Sequence, residues 1–279
     1  MSANSIDILF QQLRAEGRKA LMPFITAGDP DLSFTAELLP KLVDAGGDIF
    51  EVGIPYSDPI ADGPVIQASY TRALEHHIKL KDILTTLGSA APKLAAPVVT
   101  MVSYAIVYRH GIQRYVDDAK RAGVAGLIVP DLPADEAGQL APVCRKADLS
   151  LIQLVTPTTP RDRAVRIAET SSGFLYYVSV AGITGERTEL PPELVDNVGW
   201  LRTKTSLPIC IGFGISQPEH VHRLAPVADG LIVGSAIVRR VAAASTRPRS
   251  EVLAEVAEYV RTLADALRGV GAAARSAAL

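Results

Sequence analysis

The 279-residue sequence has no apolar run approaching the ~18 residues that a membrane-spanning helix requires. Its start, MSANSIDILFQQLRAEGRKA, also lacks the basic segment and apolar core of a secretory signal. The apolar residues of this stretch predict instead an amphipathic helix; they are Ile6, Leu9, Phe10 and Leu13. These absences favour a cytoplasmic protein without a membrane partner.

Charge, cysteine and histidine give no sign of a nucleic-acid or metal protein. The formal net charge is −2 with both signs interspersed, so no basic patch indicates binding to nucleic acid. Cys144 and Cys210 are far apart and lack metal-ligand or redox spacing, which predicts buried thiols in a reducing compartment. His220 and His222 lie two residues apart on a predicted helix, too close in sequence to share one face. We expect no metal site.

Glycine-rich nucleotide motifs are missing as well. No Walker-type loop occurs, and no G-x-G-x-x-G follows the first predicted strand, which disfavours an open dinucleotide-binding sheet. The sequence has instead 48% apolar and only 21% charged residues, which suits a large buried core.

Short apolar segments alternate with longer amphipathic ones along the chain. The short segments are continuous apolar runs, as expected for parallel strands that are covered on both faces. We predict eight strands, over residues 21–27, 48–54, 97–104, 126–132, 150–156, 174–180, 208–214 and 230–235.

Eight strand–helix units without an intervening linker predict one closed (β/α)₈ barrel, a TIM barrel, that spans 1–279 as a single domain. The amino-terminal helix is an addition to this pattern, and SAIVRRV (235–241) predicts a short extra helix after the eighth strand. We expect the Ala-rich segment 269–279 to be a flexible tail. A doubly wound open sheet is the alternative fold.

Three glycine-rich segments follow the last three predicted strands. They are AGITG (181–185), GFGIS (212–216) and VGSAIV (233–238). Glycine lets backbone N–H groups approach an anion closely, and a helix that begins just beyond adds its positive end. Single glycines also serve tight turns, but three such segments at neighbouring strand ends favour a ligand that carries phosphate. Ser235 would add a hydroxyl donor.

Two carboxylates near the second predicted strand are the candidate acid–base groups. Glu51 lies inside an apolar run, so burial should raise its pKa towards the range that is useful for proton transfer. Asp62 lies eleven residues later in a Pro- and Gly-rich loop and should stay anionic. Two carboxylates in different environments can divide acid and base roles. The alternatives are a structural acid at Glu51 and ordinary turn chemistry at Asp62; we expect a structural role for Asp131.

Apolar and aromatic residues of the predicted strands are candidates to line the same end of the barrel. They would form the body of a pocket for a flat hydrophobic ligand, with its phosphate at the far side. These residues are Phe24, Val102, Ile128, Ile152, Tyr176 and Phe213.

Several longer motifs together resemble those of the tryptophan synthase alpha chain family. The resemblance covers about residues 5–268 and rests on MPFITAGDPD (22–31), EVGIPYSDPIADGP (51–64), PDLPADE (130–136), GITG (182–185), GFGIS (212–216) and GSAIV (234–238). It implies a lyase that cleaves indole-3-glycerol phosphate to indole and glyceraldehyde 3-phosphate in tryptophan biosynthesis.

The resemblance also implies roles for individual residues. Glu51 would protonate C3 of the indole ring and assist deprotonation of the glycerol hydroxyl, and Asp62 would accept a hydrogen bond from the indole N–H. The phosphate ligands would be Gly185, Gly214, Gly234 and Ser235. The indole pocket would include Phe24, Val102, Ile128, Tyr176, Thr184 and Phe213.

The resemblance further implies mobile loops over 55–63 and 181–192, and docking on a beta chain in an alpha-beta-beta-alpha heterotetramer. Pyridoxal phosphate would belong to that partner, and this chain would need no cofactor. Two other functions stay open: a stand-alone lyase that releases free indole, and another barrel that binds a phosphate-bearing metabolite.

Overall fold

A parallel sheet forms the centre of the fold. The computed structural model describes residues 4–59, 62–133, 136–178, 192–212 and 214–277. In these residues the strands are β1 Ala20–Thr26, β2 Phe50–Gly53, β3 Val98–Met101, β4 Val124–Ile128, β5 Ser150–Ile152, β6 Leu154–Val155, β7 Leu175–Val178, β8 Ile209–Gly212 and β9 Gly230–Val233.

Helices follow the strands along the chain. They are α1 Ser5–Ala15, α2 Leu32–Asp44, α3 Pro64–Glu75, α4 Leu80–Ala90, α5 Tyr104–His110, α6 Ile112–Arg121, α7 Ala137–Lys146, α8 Arg161–Thr170, α9 Pro192–Arg202, α10 Pro218–Leu224, α11 Ser235–Val241 and α12 Arg249–Ala277. Helix α1 and the short α11 are the two additional helices that the sequence predicted.

The strand order β5-β4-β3-β2-β1-β9-β8-β7-β6 closes the sheet into a barrel. Its two outermost strands, β5 and β6, are separated in sequence only by Gln153, so the chain itself joins the ends of the order. Gln153 accepts a hydrogen bond on its backbone oxygen from the amide of Tyr176 at 3.1 Å. The predicted (β/α)₈ barrel is therefore confirmed, and the fifth predicted strand is divided into two short ones.

Two apolar layers lie on the two faces of this sheet. Side chains inside the barrel form one cluster, to which α1 adds Ile6, Phe10 and Leu13. The N-cap Asn4 fixes α1 there, since its side chain donates to the backbone oxygens of Ala125 and Asp148 at 3.2 and 2.9 Å. Because the inner cluster also holds Ala20, Ile49, Ala125 and Phe174 near strand starts, α1 closes the amino-terminal end of the barrel.

The carboxyl end of the barrel is left for the candidate site. Apolar side chains between the sheet and the outer helices form the second, larger cluster. The last helix continues as far as Ala277, and the flexibility of the segment 269–279 stays a prediction. Among the residues that the structure describes, no helix is long and apolar enough to cross a bilayer.

Candidate active site

Glu51 lies in the middle of β2 with its side chain inside the barrel. Parallel pairing sets it beside Phe24 of β1 and Val99 of β3. Only 1% of Glu51 is exposed, and none of the described residues hydrogen-bonds its Oε1 atom. A buried carboxyl oxygen without a partner is rare in proteins, and it is a group that a ligand can satisfy.

The pKa of Glu51 is raised to about 8. Burial is the main cause, and the negative charge of Asp62 contributes to the same rise. The carboxyl group therefore carries its proton at neutral pH. An acid in this state can donate a proton to a substrate and recover it later in the cycle.

Asp62 lies just before α3 and is half-buried. Its amide donates to the backbone oxygen of Pro59 at 3.1 Å, and its own backbone oxygen accepts from Nε2 of Gln67 at 2.8 Å. Burial raises the pKa of Asp62 to about 6, and the charge of Asp131 adds to this effect. Asp62 is thus mostly ionised at pH 7, whereas Glu51 is not, so their environments separate the pKa values of the two carboxylates.

Asp131 follows β4 and fixes the start of α5. Its Oδ2 accepts from Oγ of Ser103 and its Oδ1 from the amide of Tyr104, both at 2.7 Å. This carboxylate caps a helix that follows a neighbouring strand, so Asp131 has a structural role. The sequence did not reveal that its charge also acts on Asp62, because nothing in the local pattern relates two loops 69 residues apart.

An aromatic cluster lies beside the two carboxylates. Phe24 and Tyr70 form it with Ile66 and Val238, and Tyr56 packs against it with its ring 6.0 Å from that of Tyr70. Burial, followed by the charges of Asp62 and Glu51, raises the pKa of Tyr70 well above its ordinary value. Sequence reasoning missed Tyr70, since it lies on a helix and not at a strand end.

Gly53 gives these rings their space. A Cβ atom at Gly53 would lie 2.6 Å from Cζ of Phe24 and 2.8 Å from Oη of Tyr70. Both distances are shorter than real Cβ contacts, so a side chain here would displace the two rings.

The other predicted pocket residues fall into two groups. Tyr176 and Ile128 belong to the barrel interior, and Tyr176 has a raised pKa caused first by burial and then by the charge of Glu51. Ile152 is also in that inner cluster. Val102 differs, since it packs in the outer cluster with the helices and is not brought together with these side chains.

Three of the four predicted phosphate residues lie just after β8 and β9. Gly214 has a positive φ of 77°, which favours glycine, and Gly234 precedes α11, of which Ser235 is the first residue. A Cβ atom at Gly234 would lie 3.7 Å from Cβ of Phe24, so this helix start is next to the aromatic cluster. Thr184, Gly185 and Phe213 lie outside the described residues, as does most of the predicted loop 181–192.

Two further side chains hold the segment after β8 and were not predicted. Nδ1 of His220 accepts from the amide of Ser216 at 3.2 Å, and the hydroxyl of Tyr259 donates to the Ser216 oxygen at 3.0 Å. Tyr259 comes from α12, so the long last helix supports this edge of the site. Within the described part of the chain, no group of three or more acidic, histidine or cysteine side chains forms a metal site.

Comparisons with known proteins show the family. The family model described as tryptophan synthase alpha chain matches residues 10–268. The tryptophan synthase alpha chain of Rhodopirellula baltica is 62% identical over 245 residues, which cover 87% of this chain and 88% of that protein. That of Caldanaerobacter subterraneus is 46% identical over 264 residues, or 95% of this chain and 100% of its own length.

Solved structures show the same relationship. The crystal structure of tryptophan synthase subunit alpha from Legionella pneumophila has a TM-score of 0.87 at 34% identity and covers 96% of this chain and 100% of that one. Tryptophan synthase from M. tuberculosis in its open form has a TM-score of 0.85 at 31% identity, with 96% and 100% covered. With most of its length matched by the family model and by close relatives, this chain belongs to the tryptophan synthase alpha chain family.

Proposed function

We propose that Glu51 and Asp62 carry out the reaction of this family, the retro-aldol cleavage of indole-3-glycerol phosphate to indole and glyceraldehyde 3-phosphate. The chain is a lyase by its family. The observation that carries the residue assignment is the buried Glu51 carboxyl, which lies near Asp62 and has its pKa raised to about 8. Its Oε1 has no hydrogen-bond partner among the residues that the structure describes.

Glu51 acts first as an acid. Its proton goes to C3 of the indole ring, which breaks the aromaticity of the pyrrole part and leaves positive charge on the ring nitrogen. Burial supports this role, because a carboxyl group with a raised pKa is protonated at neutral pH when the substrate arrives.

The bond between C3 and the glycerol carbon then breaks. Glu51, now a carboxylate, takes the proton of the adjacent hydroxyl, whose oxygen forms the aldehyde carbonyl. The electron pair of the broken bond returns to the ring and restores indole. The same group thus donates and recovers one proton, and no electrons are left over.

Asp62 accepts a hydrogen bond from the indole N–H. A carboxylate at this place stabilises the positive charge that develops on the ring nitrogen. Its pKa of about 6 keeps it mostly ionised at pH 7, as this role requires. In this proposal the indole ring packs against Phe24 of the aromatic cluster and against Tyr176 and Ile128 of the barrel interior.

The substrate phosphate binds at the glycine-rich strand ends. Gly214 and Gly234 let the backbone approach an anion, and Ser235 offers a hydroxyl and a backbone N–H at the start of α11. Gly185 is a further phosphate ligand in this proposal, and Thr184 and Phe213 join the indole pocket. Val102 is the weakest member of that set because it packs with the outer helices.

The protein acts as one half of a two-component enzyme. Members of this family assemble with a beta chain, which holds the pyridoxal phosphate, and the alpha chain needs no cofactor. We place the protein in the cytoplasm as a single barrel domain.

Product analysis tests the reaction. Purified chain is incubated with indole-3-glycerol phosphate, and indole and glyceraldehyde 3-phosphate are quantified separately. We expect equal amounts of the two products. Binding of the substrate without either product would contradict the proposal and would favour a barrel that only binds a phosphate-bearing metabolite.

A further inference from the structure

The side chain of Gln67 bridges two backbone groups of the loop that carries Asp62. Its Nε2 atom donates to the backbone oxygen of Asp62 at 2.8 Å and to that of Pro59 at 3.1 Å. The amide of Asp62 donates to the same Pro59 oxygen at 3.1 Å. One exposed amide group therefore joins the two described sides of this loop.

Gln67 belongs to a helix that is fixed elsewhere. On the other side of α3, the hydroxyls of Ser69 and Thr26 are 2.6 Å apart and both residues are buried. Arg72 donates to both carboxylate oxygens of Asp29 at 2.9 and 2.7 Å. These contacts hold α3 against the carboxyl end of β1, so Gln67 extends from a rigid support.

The direction of these hydrogen bonds matters for Asp62. The bond from Gln67 to Asp62 uses the backbone oxygen of Asp62 and not its carboxylate, which this bond leaves available to a ligand. Fixing the backbone at this residue limits the directions that its short side chain can take. The bridge thus restricts where the carboxylate can lie without neutralising it.

We propose that Gln67 is a positioning residue, which holds the backbone of Asp62 so that its carboxylate faces the substrate beside Glu51. The inference rests on the proposed function. Without the bridge, the Asp62 carboxylate samples more orientations, including ones in water, and fewer molecules are ready for the indole N–H.

The test uses Gln67→Met, which keeps the length and neutrality of the side chain but removes both donors. The matched control is Thr71→Val, one turn further along the exposed face of α3, where the hydroxyl donates only within the helix to the Gln67 backbone oxygen at 3.1 Å. We expect kcat for cleavage to fall about tenfold in Gln67→Met, the scale of one to two neutral hydrogen bonds. In Thr71→Val we expect kcat to stay close to that of the wild type. Unchanged kcat in Gln67→Met would overturn the inference.

A second background shows whether Gln67 acts through Asp62. When Gln67→Met is added to Asp62→Asn, we expect no further loss of kcat, because the group being positioned has gone. A further tenfold loss in that background would mean that Gln67 acts on something else and would overturn the inference. Urea denaturation of each variant controls for a general loss of stability.

A readout without substrate separates this inference from the proposed function. The pKa of the Asp62 carboxyl is measured by carbon NMR in the wild type and in Gln67→Met. We expect it to fall from about 6 towards its ordinary value as the side chain becomes more hydrated. An unchanged pKa contradicts the inference, whereas a wild type that fails to cleave the substrate contradicts the proposed function.

Discussion

At the scale of single residues, Glu51 is placed where its charged form is disfavoured. The folded protein gives it a pKa of about 8 against an ordinary value of 4.5, chiefly through burial. Such a group lowers the stability of the fold whenever the unfolded chain is ionised and the folded chain is not. The acid needed for chemistry thus has a cost that varies with pH.

The first prediction concerns this cost. Between about pH 4.5 and 8, unfolded Glu51 loses a proton that folded Glu51 keeps, so rising pH favours unfolding. Glu51→Gln removes the effect, and its free energy of unfolding should gain on the wild type across this window, by at most on the order of 4 kcal/mol. Urea denaturation at pH 5 and pH 8 measures the gain. The same difference between the two proteins at both pH values would be evidence against a raised pKa.

Sequence patterns predict the residues that are locally unusual. Glu51 stands out because an acid interrupts an apolar run, and Asp62 because it follows in the same Pro- and Gly-rich segment. Gln67 and Tyr70 could not be identified in this way, and neither could the effect of Asp131 on Asp62. These effects depend on contacts between separate strands and helices.

At the scale of elements, α3 matters because it begins just after Asp62. The ion pair between Arg72 and Asp29 holds this helix to the segment that follows β1. The side chain of Asp29 is only 1% exposed, whereas that of Arg72 is 30% exposed. The arginine is therefore partly hydrated, whereas the buried carboxylate relies on the arginine for its counter-charge.

The second prediction is that Arg72→Gln destabilises the protein by about 3 kcal/mol, since it leaves the Asp29 carboxylate buried without its cation. The control is Arg166→Gln, which breaks an i,i+4 pair with Asp162 in which both side chains are more than half exposed. That change should cost less than about 1 kcal/mol. The free energy of unfolding is measured by urea denaturation. Equal losses in the two variants would show that the Asp29 pair contributes no more stability than an exposed pair.

Element boundaries are where the sequence was less informative. Apolar residues such as Val102 and Val129 stay buried after the ladders of β3 and β4 have ended, so an apolar pattern extends a predicted strand too far. At the split, the side chain of Gln153 makes a tertiary contact that no local pattern shows. Its side-chain Nε2 donates to Oγ1 of Thr170, at the end of α8, at 2.7 Å.

At the scale of the whole molecule, the barrel has one closed and one open end. Helix α1 fills the amino-terminal end, and the site residues gather at the other. The choice between a closed barrel and an open sheet could be made from eight strand–helix units, and the pairing of β1 with both β2 and β9 confirms it. The sequence could not show which strand would be divided at the closure.

The third prediction concerns the assembly. Addition of the beta chain should raise the rate at which this chain cleaves indole-3-glycerol phosphate. The reason we expect is that the partner favours closed loops over the site, which would align the carboxylates and exclude water. Glyceraldehyde 3-phosphate release is followed with and without the partner. High turnover by the chain alone and no increase on addition would instead indicate a stand-alone lyase that releases free indole.

The most direct measurement is the rate of indole-3-glycerol phosphate cleavage by the wild type and by Glu51→Gln at pH 7. Glutamine keeps the shape of the side chain but cannot donate and recover a proton. With Glu51 as the acid–base group, we predict a loss of turnover of roughly 10²-fold or more in a variant that remains folded. Turnover close to that of the wild type would contradict the central claim that Glu51 moves the proton.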